Sequence, residues 1–318
     1  FFFKQKTAYE IVDCDWSSDV CSSDLLGHAL ADRGTLLADA EHDELQRISE
    51  WAGQTSTGLR HELRPPPQPE VWELVNADSS SCSRKHCDCE KCFFQRAKAR
   101  IRSAQVIIVN HALLFALINA GGARAEDTRK DARGVLFADD FVVLDEAHTV
   151  PEVATEHFGL SLSSYGVDRA LRQLFNPRTK RGQLGRLGGA EGQQLVEHAL
   201  NASRQFFEAV ANAFLAERAI VRAREPGAVE PLLDGPLGAL ERFLGKTADR
   251  LEDGRPRDEL LEHRQRVKGI QAGITEWLTL GDERQVYWAE RSGRKQTIVT
   301  LRGAPLDVAP ELRRHLFG

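Results

Sequence analysis

Two short runs of branched apolar residues each end in polar side chains. Val106-Ile107-Ile108-Val109 leads into Asn110-His111, and Phe141-Val142-Val143-Leu144 leads into Asp145-Glu146-Ala147-His148. Continuous runs of this kind predict strands buried on both faces. Their polar ends mark the carboxyl edge, where open α/β sheets bind ligands. An apolar stretch over 112–120 predicts a helix after the first run, so the pair suggests a parallel α/β layer. Upstream, Leu30, Leu36, Leu37, Leu45 and Ile48 fall loosely at helical spacing across 27–51. The proline-rich stretch 64–69 predicts a stiff extended connector, 71–75 a short helix or turn, and 93–103 a helix. From 158 to about 281 the pattern is almost wholly helical, with segments over 167–175, 195–222, 236–251 and 258–280. Alternation then returns over 285–290 and 297–301 around Ser292-Gly293, a hairpin signature, before a last helix over 311–317.

The acidic run carries the most specific chemistry. An apolar strand delivering Asp145 and Glu146 to a sheet edge suits a nucleotide hydrolase. Asp145 would hold Mg²⁺ through water, and Glu146 would polarise the water that attacks the terminal phosphate. His148, one turn on, is placed to relay the nucleotide state. The plainer reading is a helix that happens to open on two acids, which its dipole favours. Asn110 and His111 either line a DNA- or nucleotide-facing edge or cap a strand end.

A second signal is Cys82, Cys87, Cys89 and Cys92, four cysteines within eleven residues. The wide Cys82-x4-Cys87-x4-Cys92 spacing suits an iron–sulfur cluster better than paired zinc knuckles, with four-cysteine zinc as the alternative. Directly after it, Arg96, Lys98, Arg100 and Arg102 crowd one short helix flanked by Phe93 and Phe94. That is either a solvated helix face or a surface for a DNA backbone.

Composition narrows the class. An apolar fraction of 42% and a charged fraction of 28% are ordinary for a globular chain of 318 residues. No apolar run approaches the ~20 residues of a membrane span. A net charge of −5 argues against a globally basic nucleic-acid binder but permits local basic patches. Methionine is absent, which suggests a fragment. FFFKQKTAYEI and DWSSDVCSSDL back-translate to the two halves of a common short-read sequencing adapter, so residues 1–25 are expected to be translated adapter. Lys4 and Lys6 against Glu10, Asp13, Asp15, Asp19 and Asp24 give that stretch a net −3, leaving −2 elsewhere, and Cys14 and Cys21 drop out with it.

The cysteine group, then CFFQRAKARIRSAQVIIVNHALLFA, then FVVLDEAHTVPEVA, in this order and spacing, resembles the iron–sulfur superfamily 2 DNA helicases of the XPD/DinG type, nearest the bacterial DinG branch. The resemblance implies a partial RecA-like motor domain of α/β class with an iron–sulfur insertion and a mostly helical Arch insertion. It places the cysteine region and first strand at 26–110, the acidic motif at 111–158, the Arch at 159–283 and a return to the motor at 284–318. It implies ATP and Mg²⁺ on Asp145, Glu146 and His148, and a 4Fe–4S cluster on Cys82, Cys87 and Cys92, with Cys89 a spare or substitute ligand. Single-stranded or forked DNA is the implied partner, near Arg96, Lys98, Arg100, Asn110 and His111, for a monomeric enzyme of the bacterial cytoplasm. No G-x-x-x-x-G-K-[ST] phosphate loop occurs, so the fragment alone is expected to be inactive. The rival readings are a non-catalytic single-stranded DNA-binding module and an exonuclease–helicase fusion.

Overall fold

The computed structural model describes residues 8–11, 20–22, 26–27, 39–68, 71–72, 75–77, 90–115, 141–292 and 297–314. The chain forms two compact units, Phe1–Val150 and Pro151–Gly318.

In the first unit, strand β1 (Ala8–Ile11) precedes helices α1 (Asp39–Ala52) and α2 (Phe93–Ser103), and strand β2 (Val106–Val109) follows. Leu45 and Ile48 sit three apart on α1 and are fully buried, as their spacing predicts. They share a core with Trp72, Cys92, Phe93 and Phe94. Trp72 meets Trp51 with ring centroids 6.2 Å apart at 59°, an arrangement aromatic pairs favour. Gly58 abuts this core at φ +72, where a Cβ would lie 2.4 Å from Cγ of Phe93. Both the backbone angle and the ring above it therefore require glycine. Residues 1–25, read from sequence as adapter, contribute β1, which pairs in parallel with β2, and buried Val20 and Cys21, bridged to Leu59 and Asn76.

Two sequence expectations are corrected here. β2 forms, but Val106 and Ile108 remain 43% and 49% exposed, so it is not a strand buried on both faces. Residues 141–144 are not in a strand. Phe141 and Val143 are 99% and 93% exposed, and no described strand pairs with the segment. An apolar run becomes a buried strand only when neighbours take its backbone hydrogen bonds and layers cover its faces. Among the described residues β2 has one neighbour and 141–144 has none. The parallel layer expected to join the two runs is absent from the described residues, though the chain is mixed helix and sheet.

The second unit is helix packed on antiparallel sheet. It runs α3 (Val150–Phe158), β3 (Leu160–Ser163), α4 (Ser164–Leu174), α5 (Gln183–Leu187), α6 (Gly189–Phe214), β4 (Ile220–Arg222), α7 (Asp234–Asp249), α8 (Arg255–Thr279), β5 (Gln285–Ser292), β6 (Ile298–Pro305) and α9 (Ala309–Leu312). Along α6, Val196, Ala199, Ser203, Phe206 and Val210 recur at three- and four-residue steps and are buried, the stripe an amphipathic helix needs. The helix expected to reach 222 stops at Phe214, and 220–222 becomes β4 because its backbone pairs with β5. The sheet order is β3-β6-β5-β4, so the hairpin lies between β3 and β4. Its inward residues Tyr287, Ala289, Val299 and Leu301 join the helical core. Gly273 on α8 lets that helix approach the sheet, with a Cβ there falling 2.7 Å from Leu162. No described helix is long and apolar enough to cross a membrane.

One polar network ties α8 to this sheet. Tyr287 donates its hydroxyl to Glu276 (2.9 Å) and accepts from the Asp282 amide (3.2 Å), while the buried Trp277 indole donates to the Trp288 carbonyl (3.1 Å). Burial first, then the Glu276 hydrogen bond, pushes the Tyr287 phenol up to about 12. A phenol raised in the folded state adds stability that is complete below its unfolded value, near ~10, and lost as pH climbs towards 12. Thermal unfolding at stepped pH should therefore show the second unit weakening between about pH 10 and 12. Tyr287→Phe should flatten that decline and cost roughly 1 kcal/mol at neutral pH. An unchanged alkaline slope in the variant would remove Tyr287 as its cause.

Candidate functional site

The polar ends of the two apolar runs meet. After β2, Asn110 caps the short helix over 111–115. Its Oδ1 accepts from the Leu113 amide at 2.8 Å and its carbonyl accepts from Leu114 at 3.0 Å. His111, the first helical residue, brings Nδ1 to 3.0 Å from the Thr149 hydroxyl. Thr149 ends the single 3-10 turn Ala147–Thr149, directly after the acidic pair.

That turn has an unusual entry. Glu146 lies in the left-handed region, φ 47 and ψ 45, which costs a residue with a Cβ roughly 1 kcal/mol or more. Local hydrogen bonds offset this. Asp145 Oδ1 accepts from the Glu146 amide (3.0 Å), and the Glu146 carbonyl accepts both the amide (2.9 Å) and the hydroxyl (3.0 Å) of Thr149. Both lone pairs of that carbonyl are thereby used. The side chains point outward. Glu146 and His148 are 71% and 76% exposed, with His148 Nδ1 3.3 Å from Glu146 Oε2, an ion pair only when the imidazole is protonated. Asp145 is exposed as well. Two adjacent solvent-facing carboxylates are hard oxygen donors of the kind Mg²⁺ and its bound waters accept.

The cysteine site is described only at its last member. Cys82, Cys87 and Cys89 lie outside the described residues. Cys92 is 1% exposed and stands at the N-terminal end of α2 with no side-chain capping bond. A buried thiol in an apolar shell suits a thiolate ligand shielded from water. Among the described residues no three His, Cys, Asp or Glu side chains gather as a metal site. Cys21 is buried in the same core cluster as Cys92. On α2 the basic side chains lie over aromatic rings. Lys98 Nζ is 4.2 Å from the Phe94 ring centroid and Arg96 Cζ is 5.8 Å from that of Phe93. Those cations are held by the helix's own rings, which orients them and limits their reach. Arg100 is exposed.

No protein-family model matches the chain. Curated relatives do. It is 29% identical over 120 residues to the ATP-dependent DNA helicase YoaA of Escherichia coli K12 and 30% identical over 133 residues to the ATP-dependent helicase DinG of Mycobacterium tuberculosis H37Rv. It is 28% identical over 130 residues to the ATP-dependent DNA helicase DinG of Escherichia coli K12. These alignments cover 37%, 41% and 39% of the chain. The chain is homologous to the DinG-type helicases. It spans under a fifth of their length, 17% to 18% of each.

Two features of this DinG-like chain lay outside the sequence reading. Thr149 received no role there, although a hydroxyl three residues after Glu146 is a recognisable turn-bonding signal. Gly245-Lys246-Thr247 is the tail of a phosphate-loop pattern without its leading glycine. It lies inside α7, where Thr247 bonds back to the Phe243 carbonyl at 2.9 Å and Gly245 packs against Arg264. A helix interior has already committed its amides, so this tripeptide cannot cradle phosphates.

Asn110 offers a direct check on capping. Asn110→Ala should destabilise the first unit by about 1 kcal/mol, and Asn110→Asp should restore most of the loss. Denaturant unfolding of both variants measures this. Equal stability in all three proteins would return Asn110 to a ligand-facing role.

Proposed function

We propose that this chain is a piece of an ATP-dependent DNA helicase of the DinG type, which couples ATP hydrolysis to movement along single-stranded DNA. The observation that carries the reading is the hydrogen-bonded junction of His111 with the Asp145–Thr149 turn, in a chain homologous to proteins named as ATP-dependent helicases. Asp145 holds the Mg²⁺ of the nucleotide through water. Glu146 accepts a proton from the attacking water. His148 stands one turn on, where it can sense the result. Alone, the chain turns over no ATP, because no complete phosphate-binding loop in these 318 residues accompanies the carboxylates.

In the same reading, Cys82, Cys87 and Cys92 hold a 4Fe–4S cluster, with Cys89 in reserve and zinc as the alternative metal. The buried position of Cys92 supports this. Arg96, Lys98 and Arg100 face the DNA backbone, and His111 together with Asn110 lies at the edge towards nucleotide or DNA. Residues 1–25 are adapter-derived, and 26–158 belong to the motor. The helical unit from 159 is the Arch, and 284–318 leads back towards the motor. The parent works as a monomer in the bacterial cytoplasm on single-stranded or forked DNA.

The test uses a full-length protein carrying this segment. Glu146→Gln should lower DNA-stimulated ATP hydrolysis by at least ~10²-fold while leaving nucleotide binding intact. Undiminished turnover would remove Glu146 as the base, and a binding-only module would show no turnover in either form. Anaerobic purification should give a visible absorption band that Cys92→Ser weakens. A colourless protein containing zinc would decide for the alternative metal.

A further inference from the structure

The hydrogen bonds around Thr149 have a direction that can be worked out. A hydroxyl has one hydrogen, and a backbone carbonyl can only accept. Thr149 Oγ1 lies 3.0 Å from the Glu146 carbonyl, so its hydrogen goes there. The same oxygen lies 3.0 Å from His111 Nδ1 and, with its hydrogen spent, must accept. His111 therefore carries a hydrogen on Nδ1. The chain of donors runs one way, from His111 Nδ1–H to the Thr149 hydroxyl to the Glu146 carbonyl.

We propose that His111 is a positioning residue for Glu146: its Nδ1–H holds the Thr149 hydroxyl in the rotamer that bonds the Glu146 carbonyl, tying the left-handed turn that aims Glu146 to the end of β2. The catalytic meaning rests on the reading of Glu146 as the base, but the link itself does not. Residue 146 is one of only three described non-glycine residues at positive φ. Its side chain is 71% exposed, so side-chain packing does little to impose that conformation. What holds it is its hydrogen-bonded neighbours, Asp145 at its amide and Thr149 at its carbonyl. Asp145 is adjacent in sequence and moves with the turn. Thr149 is the member held from outside the turn, and His111, 38 residues away, does the holding. A displacement of the β2 end would thus reach Glu146 through two hydrogen bonds.

The link can be read in the chain itself. Long-range ¹H–¹⁵N spectra at neutral pH should show a proton on His111 Nδ1, and Glu146 Cα and Cβ shifts should report left-handed backbone. Thr149→Val should abolish both signatures, and Thr149→Ser should keep both. Asn places a donor where Nδ1 stands and Gln where Nε2 stands, so His111→Asn should keep the Glu146 shifts and His111→Gln should lose them. A bare Nδ1, or Glu146 shifts indifferent to Thr149→Val and His111→Gln, would overturn the proposal. Should Thr149→Val unfold the first unit, the Asn and Gln pair still decides. In a full-length protein, His111→Gln should lower kcat for ATP by about 10²-fold with KM little changed, and His111→Asn should recover it. Spectra as expected with kcat unchanged would uphold the link and overturn the role of Glu146 as base, so the two failures are told apart.

Discussion

Every strand in this protein faces the same requirement: its amides and carbonyls need partners along the edges, and its apolar side chains need cover on the faces. The second unit meets it within its own residues. β6 and β5 lie between β3 and β4, and one face of the hairpin is roofed by the helices. Glycine at 273 and the Tyr287–Glu276 hydrogen bond let α8 sit close and locked. Residues 141–144 do not meet it, so a run as apolar as any in the core is left in solvent.

The acidic turn at the end of that segment forms without residues 141–144 pairing in a described sheet. Its shape comes from the Glu146 carbonyl, whose two lone pairs take the amide and hydroxyl of Thr149. The turn is formed although the strand leading to it is not, because its bonds span three residues rather than a sheet's width. Both carboxylates consequently stand in water, where a hydrated divalent ion or a nucleotide can reach them. Helix α2 is built on an equally local principle, with Lys98 and Arg96 drawn over the rings of Phe94 and Phe93. Its cations are arranged by neighbours one turn away.

Much of the architecture was legible in the residues, in proportion to how local its causes are. Helix α2 occupies the range its pattern predicts, and α4, α7 and α8 fall within a few residues of theirs. Three- and four-residue spacing needs only one partner surface of any kind. The acidic pair and His111 likewise stand out by residue type, and the structure brings His111 to the turn that follows the pair. What could not be read was pairing. Nothing in Ile220-Val221-Arg222 distinguishes the end of a long helix from a strand; the free edge of β5 decides it. Nothing in Phe141–Leu144 says whether neighbours are present to make it a strand.

By itself, then, the sequence determined most of the helical stretches, where acidic, histidine and cysteine side chains cluster, and the similarity to DinG-type helicases. The tertiary structure alone decided that His111 reaches Thr149 and that β4 caps the hairpin sheet. It also decided that the acidic segment stays uncovered. Periodicity is a property of one segment, whereas a hydrogen bond across 38 residues, or a strand's place in a sheet, exists only once a second segment arrives to complete it.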